Sequence, residues 1–299
     1  MARDFAVVTS SDRRLAADYT GDVLVWDIDK TYLNTRFSTL RGLLAIPFEF
    51  AVDKEALPGT VALLHGLRHG PGDETRLTPL FFVSASPPQL RTVLMRKMVL
   101  DGVEFDGLTF KDQLRLLGRG RWRELSGHLN YKLAALLQLR ATLPTECRVL
   151  LFGDNAEDDD TIFVLFAEVC RELRGAALQQ RLQRLGASDD DARALVALAD
   201  PLPRIDCVER CYLHLVRPRP LTSYNDHAPL LVATRDALEQ ALHLAQSGRL
   251  RADDVRRVAA EMAGRGVERA RLRQRVDEAA QRFGLPPSLV GAVLSALQI

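Results

Sequence analysis

The stretch Val23-Leu24-Val25-Trp26-Asp27-Ile28-Asp29-Lys30-Thr31 decides how this chain is read. Its first four residues form a short apolar run of the kind a buried strand requires. Asp27 and Asp29 follow, one residue apart, at the carboxyl end of that run. Two carboxylates so placed repel each other unless a cation or a proton settles the charge. A hydroxyl, that of Thr31, comes two residues later. These residue types suit phosphoryl transfer to an aspartate: one carboxylate attacks, the other handles protons, and a divalent cation holds the first in place. Asp-x-Asp-x-Thr also arises in loops and helix caps, so the remaining residues decide between the two.

Working outward, further apolar runs alternate with helical patterns. Leu80-Phe81-Phe82-Val83 and Val149-Leu150-Leu151-Phe152 read as strands, and Cys211–Val216 as a later one. Pro87 and Pro88 start a helix that runs to about Leu100, since proline is tolerated in a first turn. Asn130–Leu143 reads as a helix stopped by Pro144, and Asp159–Arg174 as another. Such alternation predicts an α/β fold: a Rossmann-like central parallel sheet with helices on both faces. Sites in these sheets lie beyond the carboxyl ends of the strands. Asp27, Ser84 and Asp154 all fall at such ends. Residues 176–200 read as a polar, alanine-rich helical insertion packed on the outside. Helical patterns at about 234–247, 251–264, 267–282 and 286–298 follow, separated by glycines. The expected organisation is one domain over 1–230, with that insertion, and a C-terminal helical module over 231–299.

The composition agrees with a folded enzyme-sized chain. Of 299 residues, 47% are hydrophobic, enough for a substantial core. A net charge of only +1 argues against a dedicated nucleic-acid binder. No apolar run approaches the length of a transmembrane segment, and Met1–Arg14 lacks the apolar core of a signal peptide. A cytoplasmic location is expected. Cys147, Cys170, Cys207 and Cys211 contain no CxxC pair and read as buried free thiols. There is no lysine after Lys132, which narrows the candidates for a compact ammonium in a site.

Three more elements bear on chemistry. Ser84, in Val83-Ser84-Ala85-Ser86-Pro87, either donates to a phosphate oxygen or, with Ser86, caps the helix that Pro87 starts. Lys132 is either a solvated lysine near a helix start or a holder of phosphate. In Gly153-Asp154-Asn155-Ala156-Glu157-Asp158-Asp159-Asp160, five carboxylates fall within seven residues. Asp159 or Asp160 has a possible use as a helix cap. Asp154, next to a buried strand, has less reason to be acidic unless it serves a cation such as Mg2+.

Taken in order, these elements resemble the haloacid dehalogenase (HAD) superfamily of aspartyl phosphotransferases, over about residues 20–220. The chain is also similar to the catalytic domain of the actin-patch-type phosphatidate phosphatases and their bacterial relatives. That similarity rests on Phe48-Glu49-Phe50 leading to Pro58-Gly59, on Phe82-Val83-Ser84-Ala85-Ser86-Pro87-Pro88-Gln89-Leu90, on Lys132, and on Leu151-Phe152-Gly153-Asp154 with Asp159-Asp160-Thr161-Ile162-Phe163. Lys30 departs from it, standing where the family usually has a third aspartate; the 176–200 stretch and the C-terminal helices also look foreign to it. The resemblance implies roles. Asp27 is the nucleophile and Asp29 the acid and base. Thr31, Ser84 and Lys132 bind phosphate. Asp27, Asp154 and the Asp29 carbonyl hold Mg2+. Asp159, favoured over Asp158, orients Lys132 or a water at the metal. Lys30 either lies near the mouth of the site or is merely solvated, the second being favoured.

The implied activity is that of a magnesium-dependent phosphomonoesterase acting through an aspartyl phosphate, on a bulky or lipid phosphate such as phosphatidate. The other readings are a catalytically idle binding or scaffold protein of the same fold, and a phosphotransferase to an acceptor other than water. Only 56 residues separate Asp27 from Ser84, and 47 separate Ser84 from Lys132, so no large cap is expected. An open groove is predicted, bordered by about 32–50, 86–90 and 112–130, with the apolar residues Phe37, Leu43, Leu44, Ile46, Pro47 and Phe48 packed on the core or exposed around it. The partner is a phosphorylated substrate of unknown identity. The C-terminal helices are free to serve an oligomer, a partner or closure over the site.

Overall fold

In the computed structural model, which describes residues 5–11, 13–34, 55–71, 77–112 and 128–296, the opening run becomes a central strand, β2 (Asp22–Asp27). It pairs in parallel with β3 (Leu80–Ser84) on one side and β5 (Arg148–Asp154) on the other. Beyond them lie β4 (Gly107–Lys111), β6 (Val208–His214) and β7 (Leu231–Thr234). The seven-stranded order is β1-β4-β3-β2-β5-β6-β7, with only β1 (Val7–Ser11) antiparallel to its neighbour. The chain therefore winds outward from β2 in both directions, and the crevice at such a reversal is where α/β proteins place their ligands.

Alternate residues of the strands face two separate cores. Val23, Val25, Val83, Val149 and Leu151 join one, and Leu24, Trp26, Phe82, Leu150 and Phe152 join the other. Burial on both faces explains why these strands read as continuous apolar runs rather than alternating ones. The first core is closed by α3 (His128–Thr142) and α4 (Asp159–Arg171), and by α5 (Gly175–Arg184) and α6 (Asp189–Ala199). The 176–200 stretch is thus a helix pair whose Leu178, Leu182, Ala192 and Leu195 are fully buried. The second core is closed by α1 (Thr60–His69), α2 (Arg91–Leu100), α7 (Ala237–Gln246), α8 (Ala252–Gly264), α9 (Arg269–Phe283) and α10 (Pro287–Ala296).

An aromatic ladder ties the C-terminal helices to the sheet. Trp26 stacks on Phe152 at 3.8 Å between ring centroids, and Phe152 on Tyr212 at 5.0 Å. The Tyr212 hydroxyl lies 2.9 Å from Nδ1 of His243 on α7. Burial pulls His243 down to about 4, so its ring is neutral at ordinary pH. Stacked pairs of this kind are each worth about 1 kcal/mol beyond their buried area.

The α/β expectation is met, with a mostly parallel sheet and a helical C-terminal region. Three strands escape the sequence reading. β1 and β4 are short and rich in Thr, Ser, Gly and Lys, and β7 is only four residues long. β6 starts at Val208, earlier than the Cys211 expected, and ends at His214. The four cysteines are buried and free. Among the described residues, no helix is long and apolar enough to cross a membrane. The apolar residues Phe37, Leu43, Leu44, Ile46, Pro47 and Phe48 lie outside the described residues, as do most of the 32–50 and 112–130 borders of the expected groove and the Phe48-Glu49-Phe50 motif.

Candidate active site

Parallel pairing brings the carboxyl ends of β2, β3 and β5 side by side, and the polar residues of the site converge there. Asp27 ends β2, Ser84 ends β3 and Asp154 ends β5. Lys132 reaches in from α3, and Asp159 from the first turn of α4. All five are buried.

Lys132 is the hub. Its Nζ lies 3.0 Å from Asp27 Oδ1, 2.7 Å from Asp159 Oδ1 and 3.3 Å from Glu157 Oε2. Burial works against the ammonium, but Asp159, Asp27 and Glu157 outweigh it and hold Lys132 well above its ordinary value. The solvated alternative for this lysine is thereby overturned: it is 2% exposed because three carboxylates surround it. One lysine does not balance them. Burial, reinforced by the charges of Asp159, Glu157 and Asp154, pushes Asp27 well above the carboxylate range despite Lys132. Burial also carries Asp154 up to about 6 and Asp159 up to about 7. The cluster has more negative charge than its own cations offset.

That imbalance coincides with oxygens that lack hydrogen-bond partners. Both Asp27 oxygens, Asp154 Oδ2 and Glu157 Oε2 are buried and accept no well-formed hydrogen bond, and of the four only Asp27 Oδ1 and Glu157 Oε2 face Lys132 at ion-pair distance. One ligand atom from each of Asp27, Asp154 and Glu157 can be chosen so that all three lie within 4.8 Å of one another. Buried carboxylate oxygens without donors are costly, and three hard oxygens at this spacing fit a divalent cation. Glu157 is the ligand candidate that sequence reasoning missed. The signal was the acidic loop itself: Glu157 stands three residues beyond Asp154, but so short a loop leaves open which of its carboxylates turns inward.

The other side of the site is built around Asp29. Its Oδ2 accepts from Ser84 Oγ at 2.9 Å and from Ser86 Oγ at 2.8 Å. The backbone N–H of Ser86 donates to Ser84 Oγ at 3.0 Å, and the Tyr131 hydroxyl donates to the Ser84 carbonyl at 2.7 Å. Ser84 does not cap the following helix: the residue before it is Pro87, with no side-chain cap bond. Thr31 is 4% exposed, and its hydroxyl has no partner.

The acidic loop is held from two directions. The backbone N–H of Asp154 donates to Asp159 Oδ2 at 3.1 Å, so Asp159 spans Lys132 and the end of β5 rather than capping α4. Asn155 exchanges two 2.8 Å bonds with Arg217, fixing the loop to the segment after β6. Gly153 leaves the space that Asp159 uses: a Cβ there would meet the Phe163 ring at 2.7 Å and 2.8 Å. Of the two aspartates left open by the sequence, Asp158 is exposed, at φ +61°, and Asp159 joins the cluster. Lys30 is not simply solvated, contrary to expectation. Its backbone takes φ +60°, and its Nζ lies 3.4 Å from Glu157 Oε1. His128, whose neutral form burial favours, stands 3.8 Å from Glu157 Oε2.

A comparison with protein families matches residues 23–175 to the family described as "Phosphatidate phosphatase APP1, catalytic domain". The matched span holds Asp27, Asp29, Ser84, Lys132, Asp154, Glu157 and Asp159, and leaves out β1, β6, β7 and, beyond the first residue of α5, every helix from α5 on. Comparisons with curated proteins and with solved structures found no match.

Proposed function

The chain belongs to the phosphatidate phosphatase APP1 catalytic-domain family, and from that premise we propose that it is a phosphomonoesterase of HAD type, with Asp27 as nucleophile and Mg2+ as cofactor. The observation that carries this reading is the pair of buried carboxylates, Asp27 and Asp154, whose oxygens Asp27 Oδ1, Asp27 Oδ2 and Asp154 Oδ2 accept no hydrogen bond, beside one fully buried lysine that pairs with Asp27. Such a group is expensive to fold and has a clear use only where charge is handled.

Asp27, Asp154 and Glu157 would hold the cation, with the Asp29 carbonyl as a further oxygen. When bound, Mg2+ supplies Lewis-acid stabilisation of phosphoryl charge. The residues do the rest. A carboxylate oxygen of Asp27 attacks phosphorus, and the bond to the leaving oxygen breaks as Asp29 gives that oxygen a proton. Asp29, now ionised, takes a proton from water, whose oxygen attacks phosphorus and frees Asp27 and inorganic phosphate. Ser84 and Ser86 aim the Asp29 carboxylate. Lys132 and the unpartnered Thr31 hydroxyl face the transferring oxygens, and Ser84 joins them by turning its hydroxyl from Asp29. Asp159 keeps Lys132 in place. Phosphatidate, which gives the family its name, and other bulky phosphates are the first physiological substrates to test.

Turnover of p-nitrophenyl phosphate by purified protein tests the reading. It should require Mg2+, stop with EDTA, and fall by more than about 10³-fold in Asp27→Asn, since an amide is no nucleophile for phosphorus. An Asp27→Asn protein with ordinary activity and native circular dichroism would sink the assignment.

A further inference from the structure

A cavity of about 210 Å3 opens beside Thr31, on the β6–β7 side of the sheet. It joins the turn after β2 to the C-terminal helices, which the family match does not reach. Its polar walls are Thr31, Thr60, His214, Arg235, Asp236, Gln240 and Arg271, and Leu57, Pro58, Ala237, Met262 and Val267 form the apolar remainder.

These groups differ in what they have left to offer. Asp236 is fully engaged, accepting from the Glu239 backbone at 3.1 Å and from Arg275 Nε at 3.1 Å. Arg235 is paired with Glu239 and Glu278. Nδ1 of His214 faces the Lys30 carbonyl at 3.0 Å; a carbonyl only accepts, so Nδ1 carries the hydrogen and Nε2 is left over. Gln240 is 4% exposed, yet its side-chain amide has no hydrogen-bond partner among the described residues. Arg271, from the first turn of α9, has no ion-pair partner among them either. The cavity thus presents, on its wall, the amide of a largely buried glutamine with no hydrogen bond among the described residues and a guanidinium with no ion-pair partner among them.

The size and the chemistry select the occupant. A volume of about 210 Å3 is below that of a pocket for a whole drug-sized ligand, so the cavity suits one small group. An apolar group would leave Gln240 unsatisfied. A neutral hydroxyl would serve Gln240 but not Arg271. An oxyanion serves both, with guanidinium bonds roughly twice as strong as neutral ones. Thr31 borders this cavity and belongs to the motif that carries the nucleophile, and His214 is the register partner of Asp154. The cavity therefore adjoins the strand ends that carry Asp27 and Asp154.

Resting on the phosphatase reading above, we propose that this cavity is a second oxyanion subsite, which takes a phosphoryl or carboxylate group carried on the leaving-group side of the substrate. The enzyme then selects phosphate monoesters that bear a second acidic group.

The test uses propane-1,3-diyl bisphosphate and 3-hydroxypropyl phosphate, which differ only in the second phosphate. Wild-type protein with Mg2+ should show kcat/KM about tenfold or more in favour of the bisphosphate, chiefly through KM. Arg271→Ala should bring that ratio close to one, and Gln240→Leu should lower it. Arg271 is exposed and outside both cores, so its loss should leave the fold intact. Calorimetric titration of Asp27→Asn protein with each compound should show the same preference as a difference in affinity. A wild-type ratio near one, or a ratio kept in Arg271→Ala, overturns the subsite while leaving the phosphatase standing. No turnover of either compound, with the Arg271-dependent binding preference intact, overturns the phosphatase reading instead. Binding of inorganic phosphate that depends on Arg271, without any advantage for the bisphosphate, assigns the cavity to the free ion and refutes its role in substrate choice.

Discussion

Replacing Asp154 by asparagine should make the metal-free protein more stable and the enzyme worse. Asp154 is fully buried, and its carboxyl is raised from an ordinary 3.8 to about 6, first by burial. A shift of about two units costs the ionised native state about 3 kcal/mol. The sign follows from linkage. An acid whose native value is raised destabilises the fold above that value, and the penalty fades as pH falls from about 6 toward 3.8. Asparagine carries no such charge. Its Oδ1 can keep the bond that Asp154 Oδ1 accepts from the Ala156 backbone. Its Nδ2 replaces Oδ2, which accepts no hydrogen bond, and so puts a neutral donor in place of one carboxylate of the acidic trio. In EDTA at pH 8, Asp154→Asn should therefore be about 2–3 kcal/mol more stable than wild type by urea denaturation, and the gap should close near pH 4. With millimolar Mg2+ the order should reverse, because wild type gains binding energy that the variant cannot. Phosphatase activity of the variant should fall sharply. An Asp154→Asn protein that is no more stable than wild type in EDTA at pH 8, or a gap that does not shrink on acidification, would refute the account of an uncompensated buried charge.

Two further perturbations probe the same cluster. Lys132→Met removes the ammonium shared by Asp27, Glu157 and Asp159; it should cost about 3–5 kcal/mol at pH 8 in EDTA, with much of that loss recovered below pH 5 as the carboxyls protonate, and thermal unfolding across pH reads it directly. Gly153→Ala sets a methyl against the Phe163 ring and the Asp159 carboxylate; a loss of about 1–3 kcal/mol should accompany a larger proportional drop in kcat than in stability-matched core variants.

Much of the site was legible in the chain because strand ends are. An apolar run buried on both faces is unmistakable in Val23–Trp26, Leu80–Val83 and Val149–Phe152, and parallel pairing then gathers whatever polar residues follow. Asp27, Ser84 and Asp154 come together for that reason alone. Lys132 and Asp159 needed more. Each sits in an early turn of a helix, where lysine and aspartate are usually solvated or capping, and only the packing of α3 and α4 on the same face turns them inward. Glu157 and Lys30 were missed or misread because both lie in short irregular turns. Their side chains are aimed by positive φ at Lys30 and Asp158, which no periodicity announces. The short strands β1, β4 and β7 were missed because pairing, rather than intrinsic preference, makes four or five mixed residues extend.

By itself the sequence determined the class of fold, the central strand, and the residue types available for phosphoryl chemistry. These follow from local rules: apolar periodicity sets burial, and motif spacing sets which groups stand at strand ends. Tertiary structure alone decided which carboxylates share Lys132, that Glu157 and not the Asp29 side chain completes the acidic trio, and that the C-terminal helices reach the edge of the site at Thr31. Those outcomes depend on residues about 100 or more apart in the chain coming together, such as Lys132 against Asp27, and Thr31 and Gln240 lining one cavity. Side-chain charge and volume bias such contacts, but only the packed sheet and its two layers of helices bring the groups within reach of one another.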